Sequence, residues 1–294
     1  MPCSVRLLIG FVGTILVCSW PLHATAQWVS APGTGWVQAT VTHHETDRRF
    51  GFDGTTESLF DEEARSITTS VNLTAALGVV RGVDLWGQVL AHRLVFRDAV
   101  ETRRSTGLSD PRLFVRVGPE AFGWTPPIPV ALRGGVKFPV GDFPVDAEII
   151  PLSEGQRDWE LLLELGQSLH PHPLYIMGWG GYRWRETNTD IDRTPGDEWF
   201  AHAAVGGTLF GQLEWKAAVD AFWGRPPERQ LNSGITLTLE NDRRRLVQLM
   251  PQVGWPVGPG TLEAQVRIPV SGRNMPAGPS FGVGYLIDWS DPLW

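Results

Sequence analysis

Residues 107–118 read GLSDPRLFVRVG and residues 128–142 read IPVALRGGVKFPVGD, with a proline-rich turn between them. In the first limb Pro111, Leu113, Val115 and Val117 alternate with Asp110, Arg112, Phe114 and Arg116. In the second, Ile128, Val130, Leu132, Val136 and Phe138 alternate with Ala131, Arg133 and Lys137. A period of two is strand periodicity, because successive side chains point to opposite faces. Charges and glycines therefore share one face over two successive strands. The same pattern, about ten residues per limb, recurs to the last residues. A chain of such hairpins turns its apolar side to lipid and its polar side inward. The fold class read here is all-β, a transmembrane antiparallel up-and-down β-barrel of about twelve strands.

The N-terminus agrees. Arg6, an apolar run from Leu7 to Trp20, and the small-x-small site Ala24, Thr25, Ala26 form a secretory signal over residues 1–26. The run is shorter than the roughly 20 residues a spanning helix needs, and Val17 before Cys18 is larger than a lipidation site takes. Residues 27–294 are then one barrel domain. Cleavage removes both cysteines, Cys3 and Cys18, so disulfides, Cys-ligated metals and Cys nucleophiles are excluded from the exported form. The chain is 42% hydrophobic, yet no later apolar run approaches 18 residues, so a helical membrane protein is excluded too. A net charge of −7 at pH 7 gives no footprint for nucleic acid.

Alternating segments fall at 36–43, 67–77, 83–96, the two limbs of the central hairpin, 158–169, 174–185, 198–209, 214–223, 243–257, 261–270 and 279–288. Short connections near 79–82, 119–127, 170–173, 210–213 and 256–260 interleave with long polar ones near 44–65, 97–106, 141–157, 186–197 and 224–243. Short periplasmic turns and long outer loops are the barrel arrangement. The stretch GITLTLE at 234–240 also alternates but would make the count odd, so it is read as a β extension of a loop. Trp36, Trp159, Trp184, Trp199, Trp215, Trp223, Trp255 and Trp289 lie near segment ends, where an indole spans the membrane interface. Trp294 supplies the aromatic end that barrel-insertion machinery reads. The expected partners are outer-membrane lipid, that machinery and a small-molecule solute.

The candidate pore-lining residues are Arg112, Arg116, Arg133, Lys137, Asp158, Glu160, Glu164, Arg183 and Arg185. Basic, acidic and basic strands would stand side by side, with Lys137 opposite Glu160 and Arg133 opposite Glu164. On the other flank Asp158 would face Arg185, and Glu160 would face Arg183. Such pairs support a sheet by roughly 0.2–1 kcal/mol each, and rings of charge set pore selectivity. Arg133, Arg183 and Arg185 are the expected constriction, with the loops 44–65 and 141–157 as gates. A barrel with a closed lumen, serving structure or surface recognition, is the alternative. His43, His44, His92 and His202 have no serine and carboxylate at a telling spacing, and His170 and His172 flank prolines in a turn. No catalytic residue, metal ligand or cofactor is expected.

Five stretches carry a resemblance: GLSDPRLFVRVG at 107–118, VALRGGVKFPVGDFP at 130–144, GQRDWELLLELGQSL at 155–169, YIMGWGGYRWRE at 175–186 and PVSGRNMPAG at 269–278. In this order the chain resembles the family of outer-membrane proteins named for the meta-pathway of phenol degradation. The resemblance implies a Gram-negative outer-membrane barrel and transporter that passes small, sometimes aromatic, compounds. It supplies no catalytic residues. The Trp-rich strands and the GITLTLE extension depart from the family pattern.

Overall fold

The computed structural model describes residues 29–59, 63–140, 143–144, 149–231 and 233–293. The signal at 1–26, the terminal Trp294 and part of the loop 141–157 lie outside the described residues. Twelve strands close on themselves. They are β1 (Gly35–Thr46), β2 (Arg65–Val80), β3 (Val83–Arg97), β4, β5 (Val130–Lys137), β6 (Asp158–Ser168), β7 (Leu174–Arg185), β8 (Glu198–Leu209), β9 (Leu213–Gly224), β10 (Arg245–Val257), β11 (Gly260–Arg273) and β12 (Ser280–Trp289). Strand β4 comes in two pieces, Thr102–Leu108 and Arg112–Val117, which pair with the upper and lower parts of β3. Every strand neighbours the next in sequence, and β1 pairs with β12 to complete the ring. Closure satisfies every edge, which a sheet in lipid requires.

Alternation decides which side faces out. On β6, Trp159, Leu161, Leu163 and Leu165 are 42–49% exposed, whereas Asp158, Glu160, Leu162 and Glu164 between them are buried. The outer wall is therefore apolar and the inner wall carries the charge, the inverse of a soluble protein. Glycine permits close approach at one packed point: a Cβ on Gly135 would run into the Phe114 ring and the Leu113 carbonyl. At the turn between β2 and β3, Gly82 takes φ +75, which favours glycine.

The structure corrects the sequence reading in two places and bears it out in a third. The charged stretch 97–106 is mostly strand: Thr102–Leu108 pairs with Ala91–Arg97, leaving a loop of only a few residues. Its alternation was hidden because polar residues occupy both faces there. Trp36 belongs to the interior, edge-on to Trp86 at 4.8 Å. By contrast Trp159, Trp184, Trp199, Trp223 and Trp255 are 44–57% exposed on the outside. The GITLTLE stretch does lie outside the barrel: Thr236–Thr238 pairs with Glu228–Gln230 in a separate small sheet.

Residues ahead of β1 turn into the mouth formed by the short turns. Val29 is buried, the Ser30 N–H donates to Asp84 Oδ2 at 2.9 Å, and Pro32 bridges Gly78. The outer wall predicts a depth-dependent cost. Val89→Arg, at mid-height on β3, should destabilise the barrel by about 2–4 kcal/mol and Val80→Arg, at the turn, by about 0–1 kcal/mol. Equilibrium urea unfolding in lipid vesicles would read the difference, and equal costs would contradict the assigned membrane level.

Candidate functional site

The inner wall from β3 to β8 carries a network of ion pairs in two clusters, a lower one around Arg116 and an upper one around Arg183 and Arg185. At its lower end Asp84, fully buried, lies directly opposite Arg116. It accepts from Arg116 Nε at 3.1 Å, from Arg116 Nη2, and from the Trp86 indole N–H at 3.0 Å. Arg116 also reaches Glu164 at 3.3 Å, and Arg133 Nε stands 2.8 Å from the other oxygen of that carboxylate. The Arg133 guanidinium lies over Trp86 at 4.6 Å and over Phe114 at 5.1 Å, a cation held between two rings.

The upper end is denser. Glu160 takes Arg112 at 3.5 Å and Arg183 at 2.9 Å. Glu198 takes Arg183 at 2.6 Å and Arg185 at 3.3 Å. Lys137, buried, meets Asp158 at 2.8 Å and Asp110 at 3.4 Å. Into this cluster comes Glu154, from the long loop before β6. Its carboxylate contacts Lys137, Arg185 at 2.6 Å and Arg244 at 3.6 Å. Its backbone is fixed too: the N–H donates to Asp110, and the carbonyl accepts from Asn188 Nδ2 at 3.0 Å. Burial pushes the Glu154 carboxyl up, but Arg185, Lys137 and Arg244 outweigh it and hold the group well below the usual carboxylate range.

All nine candidate residues take part in this network, but half of the expected register is wrong. Asp158 does face Arg185, and Glu160 does face Arg183. Lys137, however, faces Asp158 instead of Glu160, and Arg133 faces Leu162 instead of Glu164. The error is two residues, which preserves the face and changes the partner. A long loop joins β5 to β6, so no tight turn sets their register. Arg133 still reaches Glu164 because side chains lean along the strand. Sequence reading missed Asp84, Asp110, Glu154, Glu198 and Arg244. Asp84 was legible as the first inward position of β3, in step with Trp86 and Gln88. Glu154 was not, since a loop residue has no periodicity.

Beside the charges, on β7–β10, is an apolar and aromatic wall. Trp179, Phe200, Phe222 and Leu246 enclose, with Arg112, Arg133 and Arg183, a cavity of about 380 Å³. Trp179 stacks on His202 at 5.1 Å with 5° between planes, and His202 Nδ1 is bonded to Asp220 Oδ1. Below them Met177, Ala204, Ala218 and Met250 pack together. Ser70 and His92, opposite one another on β2 and β3, share a hydrogen bond of 2.6 Å. Among the described residues no carboxylate hydrogen-bonds that ring, and no cluster of three metal-ligating groups occurs.

Removing one partner from such a network strands the other in low dielectric. Arg116→Ala should cost about 3–5 kcal/mol by leaving Asp84 without its cation, whereas Arg49→Ala, in a half-exposed pair with Glu57 at 2.9 Å, should cost about 0–1 kcal/mol. Urea unfolding of the two variants would separate them.

The geometry is matched by known proteins. The crystal structure of the COG4313 outer membrane channel from Pseudomonas putida F1 superposes with a TM-score of 0.70 at 15% identity, covering 90% of this chain and 98% of that one. The beta domain of the Bordetella autotransporter BrkA gives a TM-score of 0.49 at 11% identity, covering 87% of this chain and 100% of its own. A comparison with curated proteins finds no match. Closed antiparallel architecture, an apolar outer wall and the fold shared with the P. putida channel place the protein in a bacterial outer membrane. The model of the family described as "Putative MetA-pathway of phenol degradation" matches residues 38–284, and the chain belongs to that family.

Proposed function

We propose that the barrel is a passive, cofactor-free channel for a small solute combining an aromatic ring with a polar or charged group. The observation that carries this reading is the cavity lined both by the cations Arg112, Arg133 and Arg183 and by the rings of Trp179, Phe200 and Phe222, with Arg183 5.4 Å over Phe200. A ring can stack on the aromatic wall while its polar end exchanges hydrogen bonds with guanidinium groups already poised over π faces. The P. putida neighbour's being a channel, and the family's link to phenol degradation, support the same reading.

In this reading the nine candidate residues line the passage, and across the whole network the cations and carboxylates balance at seven each, so selection comes from local geometry more than from net charge. Glu154 is the latch. It ties the loop to Lys137 and Arg185 and, through Arg244, reaches across to the strand-β10 side. Passage requires the loop to lift. That same cross-barrel contact favours the second reading, a closed barrel serving recognition.

Single-channel conductance of the refolded protein in planar bilayers tests the proposal. Arg133→Ala with Arg183→Ala should change ion preference, and Glu154→Gln should raise open probability. A depressed carboxylate stabilises the latch fully above the ordinary value of about 4.3 and loses that stabilisation progressively as the pH falls from there towards its lowered value. The native channel should therefore open more often as the pH drops below about 4, and the Glu154→Gln channel should show little of this dependence. Silence in every variant, with heat-modifiable migration showing a folded barrel, would move the assignment to the recognition reading.

A further inference from the structure

The outer wall changes character on β2–β4. On β3 the outward positions Leu85 and Val89 are exposed and apolar. Continuing in the same phase, Arg93 and Arg97 are also exposed. Val83 to Ala91 rises roughly 21 Å along the barrel axis at about 3.4 Å per residue and a tilt of about 40°. That nearly fills an apolar band roughly 25 Å tall. Arg93 thus stands at the upper edge of the hydrocarbon and Arg97 above it, on the long-loop side. On β6 to β9 the corresponding level is held by Trp159, Trp184, Trp199 and Trp223, paired across strands.

The register makes this a cluster. Arg104 on β4 lies opposite Val95, which sits between Arg93 and Arg97, so it is diagonal to both, roughly 7–8 Å away. Arg97 faces Arg65 directly, a like-charge pairing that destabilises a sheet unless an anion joins it. Arg65 has Glu45 at 3.1 Å, while Arg93, Arg97 and Arg104 form no ion pair among the described residues. The acids of the adjoining loop are engaged elsewhere: Asp98 and Glu101 both bind Arg103, on the inward phase, at 3.2 and 3.0 Å. Thr69 and Thr106 flank Arg93 with further donors.

We infer that the outward face of β2–β4 is a binding site for the phosphate groups of a glycolipid in the outer leaflet, of lipid A type. Guanidinium groups bind phosphate through paired, charge-assisted hydrogen bonds. Three of them around Val95 bracket one phosphate, and the apolar strand below offers a surface for its acyl chains. The ligand is fixed by level and chemistry: only a lipid places a phosphate beside an apolar wall at this height. This inference rests on the membrane location and is independent of what the channel carries.

Refolded protein in detergent would be titrated with bis-phosphorylated lipid A and with the same lipid after phosphate removal, and complexes counted by native mass spectrometry. Phosphate removal should weaken binding at least tenfold. The triple variant Arg93→Gln, Arg97→Gln, Arg104→Gln should lose at least tenfold for the phosphorylated lipid, while Arg81→Gln, at a turn on the opposite rim, should match the native protein. A loss below threefold on phosphate removal, or an equal loss in Arg81→Gln, would overturn the site. Displacement of the lipid by equimolar pyrophosphate would also overturn it, by showing a site for free phosphate. The dephosphorylated lipid is tested on unaltered protein, so the result stands even if the triple variant fails to fold.

Discussion

A backbone in hydrocarbon has no water to bond to, and this constraint organises the protein. Every strand must be paired on both edges, which only a closed ring achieves. Once the ring closes, lipid claims one face of each strand and the opposite face inherits every polar residue the strand carries. The inner wall is narrow, so charges placed there shed water and must find counter-charges. The chains Asp84–Arg116–Glu164 and Glu160–Arg183–Glu198 follow from this sequence of requirements. The same physics gives the interior its rigidity, since Arg116, Lys137, Arg183 and Arg185 each hold more than one acid and Glu154, Asp158, Glu160, Glu164 and Glu198 each hold more than one cation.

What the sequence disclosed, and what it did not, divides along the same line. Facing is written in a period of two, and Leu161, Glu160, Leu163 and Glu164 declare their sides without reference to any other strand. Strand existence, order and inward charge were therefore legible. Partnership depends on how far one strand slides past another. Between β6 and β7 a tight turn limits that slide, and the pairing of Glu160 with Arg183 was read correctly. Between β5 and β6 a long loop leaves it free, and Lys137 was assigned the wrong acid. Glu154, with no strand around it, is defined entirely by the three cations it meets, which come from β5, from β7 and from the residue just ahead of β10.

The two halves of the barrel use different chemistry at the same height. The upper rim of β6–β9 carries indoles, with Tyr182 packed edge-on against Trp184 and Trp199 at 4.9 and 4.6 Å. The upper rim of β2–β4 carries guanidinium groups. The first fixes depth in the bilayer without choosing a lipid, and the second chooses one. Inside, a comparable asymmetry sets the ion pairs of β3–β8 against the aromatic side chains carried by β7–β10.

The seam between β1 and β12 brings together residues separated by nearly the whole sequence: Gly35 lies opposite Trp289, the Trp289 indole N–H donates to the Gly33 carbonyl at 3.0 Å, and the Leu293 N–H donates to the same oxygen at 3.1 Å. Contacts of such long range are the slowest to form, because loop-closure entropy is spent before any reward arrives. Until the twelfth strand docks, β1 presents a bare edge along its length. The hairpins can assemble one after another, but the molecule becomes water-tight and lipid-compatible in a single last step, and a chain stalled before it is an open template for mispairing.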